Sequence, residues 1–452
     1  MKGKNEDSSQ LSFLSPNLAS QLNPKHELYQ LSHRIDWGFF EDNFSSLYSQ
    51  KGRPAHSIRL MVSLLLLKSL YDLSDESLVE EQWIMNPYFQ YFSGFTQIQW
   101  SQACASSDLV HFRKRIGEEG VALILAESVR IHGKDGNDAH ISSDTTVQEK
   151  NITYPTDAKL RKKVIDKCVA IAEKEGINLR RSYKRTVKQL VRDSYNAKHP
   201  KRAKKARSAN KKLQTIANRL LRELRRKLPE DHTYQEALTF YQKAANQKRE
   251  DKDKIYSLHE LTTYCIAKGK AHKKYEYGTK ASLSLTQKTG IIVGAMTFPT
   301  NQYDGHTLEP ALEQVKQITG KTPKTVTVDR GYAGKHQIKD VQVIIPSRAK
   351  KKDTAYQKQK KRKHCRRRAA IEPVIGHLKT DHRVARNFLK GQIGDQINFI
   401  MAASAFNMKK WMRKYKETSS WVYTLFLQME AKLKYLNAEL RINHKSELKM
   451  TF

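Results

Sequence analysis

The chain has 452 residues, with 82 Lys and Arg against 46 Asp and Glu, so its formal net charge is +36. This length allows two or three domains that each bury a core. Such a charge favours a polyanionic partner, above all a nucleic acid, because Lys and Arg release counterions when they neutralise phosphates.

The positive charge is concentrated in two internal tracts. Residues 159–227 hold 25 Lys and Arg against 5 Asp and Glu, and residues 348–368 hold 12 against 1. An anionic membrane is a competing partner, but it is disfavoured because neither tract adjoins a long apolar segment. The alternative that such a basic run is only a solvated, partly disordered loop stays open.

The cysteines and the apolar segments exclude several classes of protein. The four Cys are far apart and form no C-x-x-C pair, so neither a disulfide framework nor a zinc module is expected and a cytoplasmic location fits. The start, MKGKNEDSSQ, lacks the apolar region of a secretory signal. The most apolar stretch, residues 60–70, is too short to span a bilayer and contains Lys68, so it predicts a buried helix.

The first part of the chain predicts helices. Residues 1–25 are polar and are expected to form a disordered N-terminal segment. Residues 26–130 carry apolar side chains at helical spacing, which predicts an all-helical N-terminal DNA-binding domain. Solvated helix faces are the competing interpretation of its candidate DNA contacts, which are Arg59, Arg113, Lys114 and Arg115.

Residues 136–410 predict an α/β sheet domain, because runs of β-branched and small residues alternate with helical patterns. A Thr-Gly turn joins the second and third strands into a hairpin. Strands are expected at 140–147, 280–287, 291–298, 325–329 and 341–346, and helices at 306–318 and around 370–380.

The first two core strands are separated by a long basic segment, residues 156–274, which is predicted to be a helical insertion. Asp157 is expected to cap its first helix or, alternatively, to orient a DNA-contacting loop. Its apolar residues recur at helical spacing among Lys and Arg, which indicates one face docked on a core and another facing solvent. This stripe comprises Leu213, Ile216, Leu220, Leu221, Leu224 and Leu228. A C-terminal helical tail is expected over residues 411–452.

Three acids are candidate metal ligands. Asp144 stands inside an otherwise uncharged strand, and Asp329 ends a strand before an Arg-Gly turn, at the carboxyl edge where open α/β sheets bind ligands. Glu372 lies on the last predicted helix. Phosphodiester cleavage by two divalent ions requires a few carboxylates of this kind, because magnesium prefers hard oxygen ligands. Taken alone, each acid is weak evidence, since strand-terminal Asp residues commonly cap turns.

Cations accompany the third acid. Arg368, Glu372 and Lys379 are spaced so that they would share one face of a single helix. A pair of cations flanking a metal ligand can hold the phosphates of the scissile strand. Further candidate DNA contacts are Arg330, Tyr332, Lys361, Arg362, Arg366 and Arg367, where Tyr332 would stack on a base or, equally, pack inside its turn.

These segments together resemble those of the DDE transposases, most closely the IS5 family within the IS4-like insertion-sequence group. The likeness covers most of residues 40–410. It is carried by DTTVQEKNITYPTDAKL (144–160), KGKAHKKYEYGTK (268–280), QYDGHTLEPAL (302–312), VTVDRGYAG (326–334) and the spacing of Arg368, Glu372 and Lys379.

The resemblance implies an RNase H-like fold and a DNA substrate. It also implies Mg²⁺ or Mn²⁺ as cofactor, as two ions, and Asp144, Asp329 and Glu372 as the catalytic, metal-binding triad. Two departures stand out. Cys365 occupies the position where the family signature has Tyr, and Pro373 follows the glutamate, so the helix is expected to start or kink there.

Asp304 and His306 could be taken for a second metal site. The favoured interpretation is a helix N-cap at Asp304, because Asp is a preferred capping residue.

The sequence therefore predicts a metal-dependent DNA transposase that cleaves the ends of an insertion sequence and transfers the 3′-hydroxyl into target DNA. The N-terminal domain and the basic insertion would recognise terminal inverted repeats, within a homodimer that pairs two ends in a synaptic complex. The alternatives are a catalytically inactive DNA-binding protein derived from a transposase and a structure-specific nuclease of the same fold.

Overall fold

Eight helices form the N-terminal region of the computed structural model, which describes residues 17–447 except 50, 53, 230–232, 249, 268–273 and 335. Part of the segment expected to be disordered is helical, and Leu18 is fully buried there, because apolar side chains after residue 16 join the core. Residues 1–16 lie outside the described residues. The helices are α1 (Leu18–Gln21), α2 (Glu27–Arg34), α3 (Trp37–Phe44), α4 (Ile58–Leu70), α5 (Asp75–Ser77), α6 (Trp83–Met85), α7 (Pro87–Phe92) and α8 (Ser106–Arg130).

Helix α4 is buried on almost all sides, as its uninterrupted apolar sequence predicts. It begins where the Ser57 hydroxyl accepts a hydrogen bond from the amide of Leu60. The core around it continues into the sheet domain, where Leu283 and Phe399 belong to the same cluster of buried side chains. The N-terminal helices therefore share one core with the sheet, whereas the sequence suggested a separate domain.

Over the residues that the structure describes, the sheet has seven strands of mixed direction: β1 (His140–Glu149), β2 (Tyr264–Ala267), β3 (Tyr275–Thr286), β4 (Ile292–Phe298), β5 (Thr325–Thr327), β6 (Gln337–Ile338) and β7 (Val341–Ile344). The order is β2-β3-β1-β5-β7-β6, and β4 pairs with β3 as the predicted hairpin. Strand β1 is antiparallel to β3 but parallel to β5, which is itself parallel to β7. Helix α13 (Asp304–Thr319) packs on β4.

A helical bundle lies between β1 and β2: α9 (Asp157–Lys174), α10 (Lys184–Asp193), α11 (Pro200–Lys227) and α12 (Gln235–Asn246). It has a hydrophobic core of its own. All six residues of the predicted apolar stripe are buried there, which confirms the helical spacing. Thr156, rather than Asp157, caps α9. The sheet resumes at Tyr264, earlier than the predicted boundary at 274, because β2 pairs with β3.

The described part of the chain ends with three helices: α14 (Ala355–Ala369), α15 (Ile371–Asp381) and α16 (Gly391–Glu447). Thr354 and Gln357 form a capping box at the start of α14, so this part of the basic tract is a helix and not a loop. Helix α16 runs without a break through the predicted tail boundary at 411, and buried residues such as Phe399 and Met408 tie its first half to the core. No helix among the described residues is both long and apolar enough to cross a membrane.

Candidate active site

Neighbouring parallel strands place the two aspartates. The β1–β5 register aligns Ser142 with Thr327, so two residues further on Asp144 comes level with Asp329. Asp329 lies two residues after β5, and its Oδ1 accepts a hydrogen bond from the amide of Gly331 at 2.8 Å, which fixes the carboxylate at the start of a short 3₁₀ turn. Asp329 therefore lies beyond the carboxyl end of β5, as predicted, and Asp144 lies beside it inside β1.

The third acid reaches the same point from the helices. Arg368, near the end of α14, donates a hydrogen bond from Nη1 to Glu372 Oε1 at 2.6 Å. Its Nη2 lies 3.7 Å from Asp144 Oδ2 and 3.9 Å from Asp329 Oδ2. One guanidinium thus contacts all three predicted catalytic acids, which come from segments far apart in the chain.

The electrostatics of this cluster favour a further cation. Three carboxylates face one guanidinium, so the cluster is left with an excess of negative charge. Their oxygens are hard donors of the kind that Mg²⁺ and Mn²⁺ accept, and the guanidinium is a stand-in cation at the point where they meet. Within the described ranges no three His, Cys, Asp or Glu side chains are already arranged as a metal site.

Lys379 does not lie on one helical face with both Arg368 and Glu372, although the spacing of the three residues predicted this. The helix breaks at Ala370, between α14 and α15, so Arg368 and Lys379 do not share a continuous helical face. The Nζ of Lys379 lies 3.6 Å from Glu276 Oε1 on β3. Pro373 accounts for the break, because proline cannot donate a hydrogen bond to the carbonyl of Ala369 and its ring crowds that carbonyl. Glu372 itself is helical, so α15 starts one residue before the glutamate.

Tyr332 does not stack on a base in this structure, because its side chain is fully buried in the core beneath the site. The packed-turn interpretation is therefore correct. Burial raises the pKa of its hydroxyl far above the usual range, and the nearby Asp144, Asp304 and Asp329 carboxylates add to this effect.

The other predicted DNA contacts of the basic tract differ in their environments. Arg367 donates a hydrogen bond to Gln287 Oε1 at 2.9 Å and so is tied to the sheet. Lys361 pairs with Asp353 at 2.8 Å. Three of the predicted contacts remain solvent-exposed: Arg330, Arg362 and Arg366.

Sequence reasoning missed Arg348, which is exposed and lines a cleft of about 340 Å³ with Asp329, Arg330, Cys365 and Arg368. It also lines a neighbouring cleft with Arg362 and Arg366. The sequence feature that could have identified Arg348 is its position just after Pro346, beyond the carboxyl end of β7. Because β7 is parallel to β5, its carboxyl end lies at the same edge of the sheet as Asp329.

Asp304 does not cap α13; it is the first residue of the helix, and its side chain turns to the sheet. Its Oδ1 accepts a hydrogen bond from Thr145 Oγ1 at 2.8 Å and lies 2.5 Å from Lys280 Nζ. A Cβ added at Gly331 would lie 2.9 Å from both Asp304 Oδ2 and Asp329 Oδ1. Asp304 is thus a fourth carboxylate beside the site, neutralised by Lys280. His306 packs edge-on against Tyr303.

Two N-terminal candidates for DNA contact are structural. The side chain of Arg113 is 7% exposed and forms a bidentate pair with Asp75, which excludes it from a DNA surface. Arg59 donates hydrogen bonds to the carbonyls of Tyr91 and Phe92 and stacks over Trp37.

Residues 16–115 match the family described as Transposase domain (DUF772), and residues 257–408 match the family described as Transposase DDE domain. The second match contains Asp329 and Glu372, whereas Asp144 lies before it. An uncharacterized protein of Rhizobium meliloti, ORF8 in the nfe locus, is 40% identical over 175 residues, which cover 38% of this chain and 84% of that protein. No solved structure matches the chain significantly. The chain therefore belongs to the transposases that carry a DDE domain.

Proposed function

We propose that the chain is a cytoplasmic DNA transposase of the IS5 type, in which the mixed sheet is an RNase H-like catalytic core. The contact of Asp144, Asp329 and Glu372 with one guanidinium carries this proposal, because three remote acids meet at the edge of the sheet. Its substrates are the terminal inverted repeats of an insertion sequence and the target DNA. Two copies of the chain pair the two ends in a synaptic complex.

Asp144, Asp329 and Glu372 are the proposed ligands of two divalent ions, Mg²⁺ or Mn²⁺. When bound, such ions activate the attacking oxygen and stabilise the leaving 3′ oxygen. Water first cleaves the end of the element and frees a 3′-hydroxyl, and that hydroxyl then attacks target DNA in the same site.

The cations around the acids are proposed to position the DNA. Arg330 and Arg348 are exposed beside Asp329, where they can bind the phosphates on either side of the scissile bond. Arg368 is within reach of the same phosphates, because it belongs to the same cleft.

The test is a nicking assay on a terminal-repeat duplex with Mg²⁺ or Mn²⁺. Asp329→Asn and Glu372→Gln keep the shape of each side chain but remove its charge. We expect each to lower cleavage by more than about 100-fold, since even an outer-shell partner of a metal costs 10- to 100-fold. The affinity for the duplex is expected to stay, and Asp340→Asn, at an exposed loop position, serves as the matched control.

The products decide between the proposed activities. Joining of the cleaved 3′ end to target DNA supports a transposase, whereas cleavage without joining indicates a structure-specific nuclease. Binding without metal-dependent cleavage by the wild-type chain indicates an inactive DNA-binding protein. Cleavage retained by Asp329→Asn would refute the assignment of the acids.

A further inference from the structure

The helical bundle carries a groove between the start of α10 and the middle of α11, with a volume of about 780 Å³. Its lining combines five Lys and Arg with small polar and apolar residues and contains no Asp or Glu: Arg181, Ser182, Tyr183, Lys184, Arg185, Thr186, Leu190, Lys212, Thr215, Ile216 and Arg219. All five cationic side chains are exposed.

The groove is supported by the hydrophobic core of the bundle. Leu190 of α10 and Ile216 of α11 form part of its floor and are buried in the core of the bundle. The two helices also pack on each other through Val187 and Leu213. Most of the cations therefore stand on helices that a hydrophobic core holds in place, in contrast to a solvated, disordered loop.

Most of this charge is uncompensated. Lys184 pairs with Glu173 at 3.0 Å. The other four cations, Arg181, Arg185, Lys212 and Arg219, form no ion pair among the described residues. Clustered like charges repel one another, so a polyanion that enters the groove gains their attraction and relieves this repulsion.

We propose that this groove binds the sugar–phosphate backbone of duplex DNA, as a second contact on a core separate from the sheet that carries the acids. The inference rests on the proposed function, which supplies the polyanion. The lining has no Asn, Gln, Asp or Glu, the residues that read adenine and cytosine edges. Its Lys and Arg bind guanine as well as phosphates, and their number in one groove fits the continuous charge of the backbone best.

The experiment compares two triple variants of the full chain. Arg181, Arg185 and Arg219→Gln removes three charges from the groove. Arg192, Arg207 and Arg226→Gln removes the same charge from exposed positions of the bundle that do not line it. Fluorescence anisotropy in EDTA measures binding to a terminal-repeat duplex and to an unrelated duplex of equal length, over 50–200 mM salt.

We expect the groove variant to reduce the slope of log K against log salt by about 2.7, since each lost phosphate contact removes about 0.9. The affinity should fall by the same factor for both duplexes. The control triple is expected to keep the wild-type slope.

An equal loss of slope in the control, or an unchanged slope in the groove variant, overturns the proposal. A loss confined to the terminal-repeat duplex also overturns it, because that indicates base reading. If the triple variant unfolds by circular dichroism, Arg219→Gln alone tests the same point with an expected change of about 0.9. Because EDTA prevents cleavage, these results do not depend on the catalytic assignment, which the Asp329→Asn assay tests separately.

Discussion

Cationic side chains are buried and ion-paired in the core of the molecule but exposed and mostly unpaired in the groove of the helical bundle. In the core, Lys150 lies 2.7 Å from Asp395 and 2.8 Å from Glu260, with no exposed side-chain surface. In the bundle groove, Arg181 and Arg219 are exposed and form no ion pair among the described residues. The cations of the core therefore stabilise the fold, whereas those of the groove are available to a partner.

The cluster at Arg368 lies between these extremes. Its guanidinium is paired, as in the core, but 32% of the side chain is exposed, so solvent screens part of the interaction. A cation in that position can stabilise the acids without DNA and still reach a phosphate. The fold thus depends most on the buried cations of the core, less on Arg368 and least on the cations of the groove.

The largest effect is expected for Lys150→Met, which leaves Asp395 and Glu260 buried without their cation. Breaking such a pair should lower the free energy of unfolding by about 3–5 kcal/mol, because an uncompensated charge stays in the interior. Urea denaturation measures it, with Lys159→Met on the surface of the bundle as the control. A loss below 1 kcal/mol, the range of surface pairs, would contradict the buried role.

Asp75→Asn tests the ion pairs that Asp75 forms with Arg113 and Lys68. Its effect on the free energy of unfolding is expected to depend on pH. Burial raises the pKa of Asp75, but the hydrogen bond from Arg113 and the charge of Lys68 outweigh it, so the pKa lies below 3.8. The stability from this pair is present above pH 3.8 and is lost as the pH falls through the folded-state pKa.

At neutral pH the free energy of unfolding of the wild type should therefore exceed that of Asp75→Asn by about 1.5–3 kcal/mol, because hydrogen bonds to charged groups contribute this much. The difference should narrow only below about pH 4. Denaturation curves at several pH values provide the measurement. A gap that stays constant to strongly acidic pH is inconsistent with a lowered pKa.

Arg368→Gln should have a smaller effect, about 1 kcal/mol in EDTA, because the pair with Glu372 is exposed. Without the guanidinium, the three acids repel one another and attract a divalent ion more strongly. Added Mn²⁺ should then raise the melting temperature of the variant more than that of the wild type, since a ligand stabilises by binding the folded state. An equal rise in both would show that Arg368 does not compete with the ion.

The smallest effect on the fold is expected for Lys212→Gln in the groove. Its stability should stay within about 0.5 kcal/mol of the wild type, as for most surface changes. For its binding to duplex DNA, the slope of log K against log salt should nevertheless fall by about 0.9. If the variant is destabilised, Lys212 contributes to the stability of the fold as the cations of the core do, which contradicts the contrast between core and groove.

The sequence by itself determined the features that depend on neighbouring residues. The Thr-Gly hairpin, the leucine stripe of α11 and the helix break before Glu372 were all predicted, because local spacing and Pro geometry decide them. The position of Asp144 inside a strand and that of Asp329 just beyond the end of another also followed from the pattern of buried strand segments.

Only the tertiary structure decided which charged and aromatic side chains face solvent. Arg113 is buried by Asp75, which is 38 residues away in the chain. Tyr332 is enclosed by the core beneath the site, and Asp304 turns from its helix end to Lys280 on a strand. Burial and ion pairing depend on groups brought together from distant segments, and helical periodicity carries no information across a break such as Ala370.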